Sequence, residues 1–74
     1  MSKSRESFVR LAEKRTTRIL DGLDSLANLS NRSNYAFSEE DVKKIFDAIS
    51  SKLKSAEKRF SVALQSSKKN KFEL

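Results

Sequence analysis

Seven apolar residues, Val42, Phe46, Ile49, Leu53, Ala56, Phe60 and Ala63, recur at steps of 4, 3, 4, 3, 4 and 3 without a break. That spacing places them on one stripe of an α-helix, and it is the heptad seam of helices that pack side by side. Ile45 and Leu64 widen the stripe. Proline is absent and Gly22 is the only glycine, a composition that favours long helices. The row predicts a helix from Glu39 to about Gln65, roughly 40 Å long at 1.5 Å per residue.

Its start is written locally. Ser38 has the side chain of an N-cap, and Asp41 stands three residues on, which is a capping box with Asp in place of Glu. Phe37 before the cap and Val42 at the fourth helical position have the spacing of a hydrophobic staple. Glu39, Glu40 and Asp41 set negative charge against the positive end of the helix dipole. Glu39–Lys43 and Glu40–Lys44 are expected as i,i+4 pairs on the outer face.

A second row lies upstream. Phe8, Ala12, Arg15, Ile19, Gly22, Leu26 and Leu29 also step by 4 and 3, and predict a helix over residues 5–29 that starts near Ser4. Arg15 interrupts the row, but its aliphatic stem can cover apolar neighbours while the charge reaches water. Gly22 costs about 1 kcal/mol relative to alanine inside a helix, a cost that a close contact would justify. Between the rows, Asn28, Ser30, Asn31, Ser33 and Asn34 favour turns, because their short side chains compete for backbone hydrogen bonds.

The expected fold is therefore all-α: an antiparallel hairpin with helices over 5–29 and 39–65 and a turn over 30–38. Folded back near Asn34, the chain sets Leu26 opposite Val42, Gly22 opposite Phe46, Ile19 opposite Ile49, Arg15 opposite Leu53, Ala12 opposite Ala56 and Phe8 opposite Phe60. Glycine opposite phenylalanine is the large–small complementarity that a core needs. The main rival is two helices splayed apart by a larger partner. Residues 1–65 form the domain, residues 1–4 are expected to fray, and residues 66–74 read as a basic disordered tail.

Two helices make a thin core, and a chain of 74 residues often needs a staple or a partner. With no cysteine, neither a disulfide nor a thiolate metal site serves as one. Leu11, Leu20, Leu23, Ala27, Ile45 and Ala48 lie beside the seam and are the candidate partner-binding residues. A homodimer closing as a four-helix bundle is the natural completion, against a lone hairpin or a complex with another protein.

Charge is segregated. Residues 1–18 carry six basic and two acidic residues, residues 19–51 three basic and six acidic, and residues 52–74 seven basic and two acidic. The helix dipole accounts for the second helix, acidic at its start and basic at its end. It does not account for the first, where basic residues crowd the N-terminal half. A polyanion at the open end, or a partner hairpin arranged antiparallel, would favour that arrangement; a solvated face with no binding role is the third reading. Under the polyanion reading, Arg5, Arg10, Lys14, Arg18, Lys54, Lys58 and Arg59 contact phosphates, with steep salt dependence and no base-reading module. A second candidate site is the turn tip, where Asn31, Arg32, Asn34 and Tyr35 gather amide, guanidinium and phenol groups. Simple closure of the bend is the competing account.

Catalysis is disfavoured. Histidine is absent, no phosphate-cradling glycine loop occurs, and the acidic pairs Asp21/Asp24 and Glu40/Asp41 read as surface and cap residues. No cofactor, metal or small-molecule substrate is expected. No apolar run approaches the ~20 residues of a membrane span. MSKSRESF has no apolar core of a secretory signal, so the cytoplasm is the default location.

The run over residues 26–46, chiefly Leu29-Ser30-Asn31-Arg32-Ser33-Asn34-Tyr35 and Asp41-Val42 to Ile45-Phe46, is similar to short uncharacterised bacterial helical proteins, some carried on mobile elements. The resemblance covers under a third of the chain and brings no catalytic residue with it. It implies a small accessory factor of bacterial or phage origin. The expected function is a non-enzymatic helical module for self-association or protein binding, a phage- or plasmid-type modulator of a larger assembly. The alternative is a small basic nucleic-acid-associated protein.

Overall fold

The computed structural model describes residues 4–69. Among them the chain is all-helical, with two α-helices, one 3₁₀ turn and no strand. It divides into two units, one on each side of the Ala36–Phe37 junction.

The first unit holds α1, Arg5–Ala27. Ser4 caps it: its backbone is extended and its hydroxyl accepts a hydrogen bond from the Ser7 N–H at 3.1 Å. Ser4 was expected to fray and instead holds the first turn, because the cap satisfies one of the orphan N–H groups there. Glu6 lies in that turn, on the favourable side of the dipole. At the other end there is no basic residue in the last turn. The helix ends two residues short of the expected Leu29 and tightens into a 3₁₀ turn, Asn28–Ser30. The Asn28 N–H points at the carbonyls of Asp24, Ser25 and Leu26, so the last carbonyls find a donor without a glycine.

Asn31 then turns the backbone out of the helix with an extended conformation. Its side-chain Oδ1 accepts from the Ser33 N–H at 2.9 Å. Its carbonyl accepts from the N–H groups of Asn34 at 3.1 Å and Tyr35 at 3.0 Å. One asparagine therefore organises the turn through its side chain and its backbone together, as its chemistry predicts. No described residue needs a positive φ.

The second unit holds α2, Glu39–Lys69. The capping box is present in both directions. The Asp41 N–H donates to Ser38 Oγ at 3.1 Å, and the Ser38 N–H donates to Asp41 Oδ2 at 3.0 Å. Glu39, Glu40 and Asp41 fill the first turn. The helix passes the expected end at Gln65 and continues to Lys69, since residues 66–69 contain neither the glycine nor the proline that would stop it. Of the expected tail, residues 70–74 lie outside the described residues.

Of the two expected ion pairs, Lys44–Glu40 is present, at 3.9 Å. Lys43 does not reach back to Glu39. It reaches forward to Asp47 at 3.0 Å. A carboxylate stands four residues away on either side of Lys43, and the forward one takes the ammonium. Both pairs are largely exposed, so each contributes no more than a few tenths of a kcal/mol.

Candidate functional site

Among the described residues neither unit by itself contains a core. Among residues 4–65 none is buried, and Ser7, Val9, Leu11, Ala12, Leu26, Phe37 and Ile49 are half-buried. The α2 row stands open to solvent: Phe46 is 47% exposed, Leu53 57% and Phe60 61%. On α1, Ile19 is 63% exposed and Phe8 49%. Amphipathic helices draw most of their stability from a covered apolar face, and neither row is covered within its own unit. The candidate site is therefore the pair of apolar rows themselves.

Phe8 has one feature that the spacing did not predict. The Arg5 guanidinium lies 5.8 Å from the centre of its ring, a cation–π contact across one helical turn. An arginine three residues before an aromatic on a helix is the signal that would have found it. Gly22 is open within its own unit: a Cβ there would meet no heavy atom within 4 Å. Nothing in α1 itself explains a glycine at that position.

The residues expected beside the seam fall on both helices. Leu11 is half-buried, while Leu20, Leu23, Ala27, Ile45 and Ala48 are exposed, with Leu23 and Ile45 close to the half-buried range at 37% and 39%. Ala27 closes α1, and Ile45 and Ala48 lie in the first turns of α2. A shallow, open recess on the surface of α2 is lined by Ala56, Arg59, Phe60 and Ala63, where two small residues flank a large ring.

The expected phosphate contacts also fall on both helices. Arg5, Arg10, Lys14 and Arg18 lie on α1, and Lys54, Lys58 and Arg59 lie on α2. None of them joins an ion pair among the described residues. Arg10, Lys14 and Arg18 follow one another at i,i+4, which lines three like charges along one edge, about 6 Å apart along the axis. Such like-charge pairs weaken a helix, so the edge has a cost. At the turn tip, Asn31, Asn34 and Tyr35 share one hydrogen-bonded bend, and Arg32 sits within it. The backbone bonds of Asn31 give this cluster a closing role.

No group of His, Cys, Asp or Glu among the described residues is placed to hold a metal. None of the described helices is long and apolar enough to cross a membrane. Comparison with protein-family models, with curated proteins and with solved structures gave no match in any of the three.

Proposed function

We propose that this protein is a non-enzymatic helical interaction module. Its α1 and α2 fold back as an antiparallel hairpin in the register that sets Phe8 opposite Phe60. Two such hairpins close as a four-helix bundle. The module serves as an accessory part of a larger bacterial assembly. The observation that carries this reading is the exposure of the α2 row: seven apolar residues in unbroken heptad spacing, none of them buried. A face of that kind is covered in a working protein by another helix, because uncovered it leaves both a stability deficit and an aggregation-prone patch. The candidate partner-binding residues flank the seam and would widen the surface shared between hairpins.

Light scattering on the purified chain tests the self-association. A monodisperse folded particle of 8.4 kDa contradicts it, and a mass of two chains supports it. Capture from a bacterial lysate, repeated with Leu20→Glu and Leu23→Glu, tests whether the flanking residues hold a further protein. Loss of a specific captured band supports that part of the reading, and an unchanged set of bands contradicts it.

A second reading has its own observation, the unpaired cationic edge of Arg10, Lys14 and Arg18. On this reading the edge, with Arg5, Lys54, Lys58 and Arg59, holds a nucleic-acid backbone through phosphate contacts. Such binding falls steeply as counterions are added. Filter binding of DNA and RNA across a salt series decides it: affinity confined to millimolar at 50 mM salt removes this reading.

A further inference from the structure

The apolar row of α2 is complementary to itself when reversed. We infer that α2 docks antiparallel on the α2 of a second copy of this chain, about a twofold axis at the level of Leu53. Resting on the proposed dimer, the inference specifies which helices touch and in what register.

Read from both ends toward the middle, the row pairs Val42 with Ala63, Phe46 with Phe60, Ile49 with Ala56, and Leu53 with itself. Two of the three off-axis layers join a large side chain to a small one, which is how facing helices fill the space between them. A parallel arrangement would set every residue against its own copy. Ala56 would face Ala56 and Ala63 would face Ala63, leaving voids, whereas phenylalanine faces phenylalanine in either arrangement. The shape of the helix agrees. Its C-terminal half carries the recess lined by Ala56, Arg59, Phe60 and Ala63, and its N-terminal half carries the bulky run Val42, Phe46 and Ile49. The antiparallel register lowers that run onto that recess.

Charge chooses the same direction. The N-terminal part of α2 carries Glu39, Glu40, Asp41 and Asp47 against Lys43 and Lys44. From Lys52 to Lys69 it carries six basic residues against Glu57. Antiparallel docking sets the acidic end of each copy beside the basic end of the other, and parallel docking sets like ends together. One contact is unfavourable. Lys52 meets its own copy near the axis, where its long stem must carry the charge outward.

The chain has no cysteine, so single cysteines in the full-length protein report the geometry cleanly. A disulfide needs Cα atoms within about 7 Å. Lys52→Cys lies at the edge of the seam, leaves the apolar row intact and is read under mild oxidation on a non-reducing gel. Leu53→Cys is read beside it, with Ile49→Cys and Ala56→Cys alone and mixed. The expected result is nearly complete covalent dimer for Lys52→Cys and Leu53→Cys. Ile49→Cys and Ala56→Cys should stay single alone and join when mixed. Equal cross-linking of all four single variants indicates parallel docking and overturns the inference. So does the absence of cross-linking in Lys52→Cys. The double variant Ala12→Cys/Ala56→Cys separates the two claims, because it closes within one chain if the hairpin forms. Closure there with Lys52→Cys remaining single removes the antiparallel seam and leaves the hairpin. The opposite result removes the hairpin and leaves the seam.

Discussion

Replacing Ser38 by alanine removes the acceptor that holds the first turn of α2. The Asp41 N–H then loses its 3.1 Å bond to Ser38 Oγ, while the return bond from the Ser38 N–H to Asp41 Oδ2 keeps its donor and acceptor. Both bonds are solvent-exposed, so water recovers part of the loss. The cost falls near the middle of the range for N-cap deletions, about 1 kcal/mol. For a domain of this size that lowers Tm by roughly 4–8 °C. The assay is thermal and urea unfolding followed by circular dichroism at 222 nm. Chain concentration must be fixed, because self-association makes stability depend on it. Ser38→Asp is the matched control, since aspartate caps as well as serine and should retain stability within a few tenths of a kcal/mol. Asp41→Ala and the double variant complete a cycle whose coupling reports the reciprocal box. Ser38→Ala within about 0.3 kcal/mol of the parent, or Ser38→Asp as damaging as Ser38→Ala, refutes the capping argument.

Three further substitutions probe the packing. Phe60→Ala should cost about 2–3 kcal/mol in urea unfolding, because the ring becomes covered when the helices pack; a value under about 0.5 kcal/mol would mean that it stays in water. Gly22→Leu raises helix propensity in an open setting, yet should destabilise the full chain by about 1–3 kcal/mol through overpacking against Phe46. A stabilised variant would show that no ring approaches Gly22. Asp47→Ala should cost less than about 0.5 kcal/mol, and the difference should vanish in 1 M salt, as an exposed pair requires.

Much of the local structure was legible because its causes are local. Ser38 and Asp41 lie three residues apart, and Asn31 needs only its own side chain and the next few N–H groups to build a turn. Helix ends were less legible. Nothing in residues 66–69 breaks a helix, and the end of α1 was set by a 3₁₀ turn that no glycine announced. Lys43 had two carboxylates in reach, so spacing alone could not select Asp47 over Glu39. The Arg5–Phe8 contact is also local, an arginine one turn before an aromatic, but heptad spacing assigns Phe8 only a place in the apolar row. The candidate site was legible as two apolar rows and a cationic edge. What covers a row depends on contacts distant in sequence, which periodicity cannot name.

Proximity of the Phe8 and Phe60 rings is the most direct test of the central claim, that the two rows mesh along antiparallel helices. It is measured as nuclear Overhauser contacts between their ring protons, on a uniformly labelled sample and on a mixture of labelled and unlabelled chains. Cross-peaks between the two rings that persist within single labelled chains are expected. No contact between Phe8 and Phe60, either within a chain or between copies, would contradict the claim.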